Sequence, residues 1–178
     1  MATQPAENNL VSDVKSPFVE SGSCSDEIVL MFDDRSELFV SQNFLSYASP
    51  VFEAMFQKGF KEIEERVVRL RGKDSEEMLE LLKCLHPSIL TPVDRTNALR
   101  LLALADEYQM SVIKERCEKV LFDWLQTERG AVSNSSGVSS SRRYQRAEVC
   151  LKILTLAIMV NHDSLLKAAK SVLSVCRL

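Results

Sequence analysis

A cationic surplus is the first thing this chain lacks. Lysine and arginine number 22 against 25 acidic residues, for a formal charge of −3 over 178 residues. Binding a phosphate backbone needs a concentrated positive face, so nucleic acid is not an expected ligand. No stretch reaches the roughly 18 uninterrupted apolar residues of a membrane span, and no basic segment followed by an apolar run opens the chain. A membrane partner is therefore not expected, and the anticipated compartment is cytoplasmic or nuclear. The five cysteines are odd in number and form no CxxC, which disfavours a disulfide framework or a zinc site and points to buried thiols. Only two histidines occur, His86 and His162, and neither has a nucleophile or carboxylate spaced as in a triad. With no GxSxG, P-loop or GxGxxG either, the chain is expected to be no enzyme and to carry neither metal nor cofactor.

What is present is a dense stretch from Phe39 to Phe56. Ser49-Pro50 reads as an N-cap followed by the first helical residue, where proline's fixed φ and missing N–H cost nothing. Val51, Phe52, Met55 and Phe56 then form one apolar stripe that must face a core, and Gly59 is placed to stop the helix. Before it, the apolar run Glu27–Phe32, the turn residues Asp33–Ser36 and Leu38-Phe39-Val40 predict a β-hairpin. After it, Val67–Leu70, closed by Gly72, predicts a third strand.

The period then changes from two to 3.6. Asp74 with Glu77 three residues on predicts a capped helix burying Met78, Leu81, Leu82 and Leu85. Asp94 is expected to cap the next, with Ala98, Leu101, Leu102, Ala105 and Tyr108 inward, and Ser111 starts a third through Cys117 to Trp124. The polar segment 1–24 reads as a flexible arm, and 128–146, which includes six serines and two glycines between Glu128 and Ser141, as a linker. A C-terminal helical pair is expected over 147–178. A hydrophobic content of 46% is ample for a core, so 25–127 is one domain with the pair as a smaller appendage.

This order of pieces resembles a BTB/POZ domain. The resemblance rests on Ser25-Asp26 leading into the first strand, Leu38-Phe39-Val40, Ser49-Pro50-Val51-Phe52 with Met55-Phe56, and Leu104-Ala105-Asp106-Glu107-Tyr108-Gln109-Met110. Leu85-His86-Pro87-Ser88 and Thr91-Pro92-Val93 are similar to animal BTB proteins of the MATH-BTB group. The arm of about 24 residues is too short for a MATH domain, so the expectation is a stand-alone BTB protein or one without its substrate-binding part. The resemblance implies an α+β fold, a small three-stranded sheet flanked by helices.

It also implies a protein-interaction module with two surfaces. One is for homodimerisation, where Phe44 and Leu45 match a turn-helix that packs across the two-fold, unless both are core residues. The other docks a cullin in ubiquitin-ligase adaptors through a hydrophobic-x-Glu motif, for which Phe60-Lys61-Glu62 stands in the matching place. Tyr108 matches an aromatic beside the same groove. The alternatives are a solvated loop with Phe60 capping the core, and a structural Tyr108. The partners implied are a second copy, a cullin scaffold and an unknown substrate protein. Repressor-type members place His followed by Lys or Arg after the second strand; here the pair is Ser41-Gln42, so a homo-oligomeric scaffold or repressor module ranks second.

Overall fold

A computed structural model describes residues 17–22, 24–57, 65–133 and 140–176. Strand β1 (Glu27–Phe32) alternates strictly, with Ile28, Leu30 and Phe32 buried, because successive side chains of a strand point to opposite faces. It pairs antiparallel with β2 (Glu37–Ser41) in the register Leu30↔Leu38. Asp34 closes the hairpin turn by accepting from the Ser36 amide at 2.9 Å and its hydroxyl at 2.6 Å. Strand β3 (Val67–Leu70) lies parallel on the other side of β1, which gives the order β2-β1-β3. A parallel pair cannot be joined by a hairpin, so the chain between β2 and β3 must cross over. That crossover carries the helices α1 (Gln42–Ala48) and α2 (Pro50–Met55).

Helices α3 (Ser75–Leu85), α4 (Ala98–Glu107) and α5 (Ser111–Ser133) cover the sheet. Asp74 caps α3 as its spacing predicts, accepting from the Glu77 amide at 2.9 Å. Asp94 does not cap α4. Its carboxylate is taken by Thr96, and the helix begins at Ala98 behind Asn97, a buried amide that donates to Glu80 and to the Pro92 carbonyl. Leu45, Phe52, Leu81, Leu101, Ile113 and Leu121 meet in one core.

Two expected boundaries move. The fold starts before residue 25: Phe18, assigned to the flexible arm, is 8% exposed and its carbonyl accepts from the Phe39 amide at 2.8 Å on the free edge of β2. An isolated aromatic in a polar segment carries no periodic signal, which is why the sequence hides it. At the other end α5 runs to Ser133 and α6 (Ser140–Met159) starts well before residue 147. The break expected over 128–146 is confined to 134–139, which lie outside the described residues. Serine is a fair helix former once neighbouring turns and tertiary contacts are in place, so its abundance alone misplaced the ends. Helices α6 and α7 (Asp163–Cys176) form the expected pair. They bury Ala147, Cys150, Ile153 and Ala157 from one and Leu165, Ala169 and Val172 from the other.

Candidate functional site: an apolar groove beside α2

The site is built on Ser49. Its hydroxyl oxygen accepts from the Phe52 amide at 3.1 Å, capping α2, and the same hydroxyl donates to the Tyr108 carbonyl at 2.5 Å. One fully buried side chain thus ties α2 to the turn between α4 and α5. The Tyr108 ring stacks on Phe52 with centroids 4.7 Å apart and planes 5° from parallel, and Phe52 stacks on Phe56 at 6.1 Å. Above this aromatic floor lies a shallow groove of about 380 Å³ lined by Pro50, Val51, Ala54, Met55 and Gln109. Its wall is apolar apart from Gln109. That residue sits just past the end of α4 at φ +53°, a left-handed conformation that usually falls to glycine or asparagine.

Each residue named from the sequence now has a place. Tyr108 is 3% exposed and lies beneath the groove, not in it; burial pushes its phenol up to about 12, with Glu107 adding to the rise. Phe60 and Glu62 lie outside the described residues. Leu45 is wholly buried in the chain's own core, so it has no surface to offer a second copy. Phe44 is half-buried, covered by Phe18 at 6.2 Å and His86 at 6.1 Å. The exposed member of α1 is Tyr47, 94% accessible and three residues from Phe44, hence on the same helical face. Periodicity did not single out Tyr47 or Gln109: an exposed aromatic and a strained turn residue have no repeating partner. Asp26 accepts from the Ser41 hydroxyl at 2.6 Å and the Asn43 amide at 3.1 Å. These bonds, Ser41 first, hold its carboxyl below the usual carboxylate value. Ser41 in turn caps α1 by accepting from the Phe44 amide, so Asp26 serves the start of α1. Among the described residues no cluster of three or more His, Cys, Asp or Glu stands ready for a metal, and no helix is long and apolar enough to cross a membrane.

The model of the BTB/POZ domain family matches residues 17–123. The chain belongs to the BTB/POZ family. That match begins at Pro17, in agreement with the buried Phe18 and not with a start at residue 25. The BTB chain is 36% identical over 88 residues to BTB and MATH domain-containing protein 38 of Caenorhabditis elegans, covering 49% of this chain and 22% of that one. Against Kelch repeat and BTB domain-containing protein 8 of Danio rerio it is 26% identical over 117 residues, 66% of this chain and 19% of the relative. The match thus spans about a fifth of each relative's length. The BTB domain of human gigaxonin aligns at a TM-score of 0.44 and 19% identity, over 53% of this chain and 75% of that chain. BTB domains are protein-interaction modules that commonly self-associate, and the family is generally non-enzymatic.

Proposed function

We propose that this BTB chain is a homodimeric adaptor that brings a substrate protein to a cullin-based ubiquitin ligase in the cytoplasm or nucleus. The observation that carries the reading is the apolar groove along α2. Phe60-Lys61-Glu62 begins five residues after Met55, the last residue of that helix. An aromatic anchor filling a partner's pocket dominates interface energy, while a neighbouring charge sets orientation. Phe60 is the anchor, Glu62 the orienting carboxylate, and Val51, Met55 and Gln109 extend the surface an apolar helix would cover. Tyr108 supports it from below by fixing α2 against the α4–α5 turn. The Asp26 carboxylate, occupied by Ser41 and Asn43, argues against the repressor alternative.

Calorimetry with a cullin N-terminal helical domain tests this. Truncating an interface anchor costs about 2–4 kcal/mol, so Phe60→Ala should weaken binding about 30- to 1000-fold while Lys61→Ala changes little. Glu62→Lys should weaken it too, by adding repulsion to lost attraction. Wild-type protein with no binding at tens of micromolar rejects the adaptor reading and leaves a homo-oligomeric scaffold in its place.

A further inference from the structure

Between α5 and α6 lies a cavity of about 140 Å³, walled by Trp124, Leu125, Glu128, Val149, Cys150 and Ile153. All of these residues fall outside the segment 17–123 that matches the BTB family, so the cavity belongs to this chain's own C-terminal extension. Voids of about 150 Å³ lined by aliphatic and aromatic side chains stay dry and accept benzene or xenon. Here the lining is almost wholly apolar, with Glu128 and Gln145 as its polar members.

The walls are held from behind. Leu125, Cys150 and Ile153 are buried in the core, and the Trp124 ring is covered by the Arg95 guanidinium at 5.6 Å. Arg95 lies outside the cavity lining, and its Nη2 donates to the Thr127 hydroxyl at 3.3 Å. A close-packed interior does not flow into a void, so walls fixed in this way keep the space open. We infer that this cavity is a binding site for a small apolar molecule, aromatic or branched aliphatic, of roughly benzene's size. The site touches both α5 and α6, so a bound molecule adds contacts at the joint between the BTB domain and the helical pair. A ligand that binds only the folded chain raises its stability by mass action.

The test is a titration of the full chain with toluene and, separately, with xenon. Trp124 is the only tryptophan, which makes its emission a reporter within the cavity wall. Expected are a saturable change in emission and a melting temperature that rises with toluene concentration. Val149→Phe, which fills the space, should weaken toluene binding at least tenfold while leaving the circular dichroism unchanged. A response linear up to the solubility limit of toluene, or Val149→Phe binding as tightly as wild type, overturns the inference. Should that variant fail to fold, the xenon-129 chemical shift decides: a saturable shift with native protein supports the site. A shift equal to that of the denatured chain removes it.

Discussion

Ser49 shows how much a single hydroxyl can hold in this fold. Replacing it by alanine removes the α2 cap and leaves the Tyr108 carbonyl without its donor. A lost cap costs about 1 kcal/mol and an unsatisfied buried group about 1–3, so Ser49→Ala should cost about 2–4 kcal/mol in urea unfolding. Gln109 poses the opposite case, since its left-handed backbone is unfavourable for any side chain with a Cβ. Gln109→Gly should stabilise the fold by about 0.5–1 kcal/mol. If the groove docks a partner, the same variant should bind it more weakly although it is more stable. Equal stability and equal binding would show that the strain has no purpose in this site.

Among elements, α3, α4 and α5 enclose three groups that resist ionisation. Burial pushes the Cys84 thiol to about 11 and the Cys117 thiol to about 12, both from 9.0, and the Tyr108 phenol from 10.0 to about 12. The unfolded chain releases these protons first, so the native state holds more of them as pH rises. The stability they contribute is full below about pH 9 and is lost between about 9 and 12. Melting temperature should therefore fall from pH 9 upward, and the slope should be shallower in Cys117→Ala. A flat profile to pH 10.5 would show these groups are hydrated in the native state. The hairpin, β3 and the starts of α2, α3 and α5 were all legible, because alternation, 3.6-residue periodicity and Ser or Asp caps are local signals. The true start of α4 was not, since Asn97 caps through distant contacts with Glu80 and Pro92.

For the whole molecule the question is what α1 presents. Phe44 spends part of its surface on Phe18 and His86, whereas Tyr47 spends almost none, so Tyr47 is the cleaner probe of self-association. Light scattering at micromolar concentration should give a dimer mass. Tyr47→Asp should reduce that mass towards a monomer with no change in melting behaviour, because a fully exposed side chain supports no internal packing. Phe44→Asp should split the dimer and also destabilise the protomer. A monomeric wild type at tens of micromolar sinks the homodimer.

The amino-acid order by itself determined the elements, the BTB class and the apolar faces, because each depends on neighbours within a few residues. Tertiary structure decided the fate of the aromatic candidates. Tyr108 and Leu45 share their helical faces with core residues, and only the packing of α2 against the α4–α5 turn and of α1 against the sheet says that both are covered. Phe18 is the converse: nothing adjacent in the chain marks it, yet Phe44, His86 and the edge of β2 converge on it from 21 or more residues away. Contacts between residues so far apart in sequence leave no period to read.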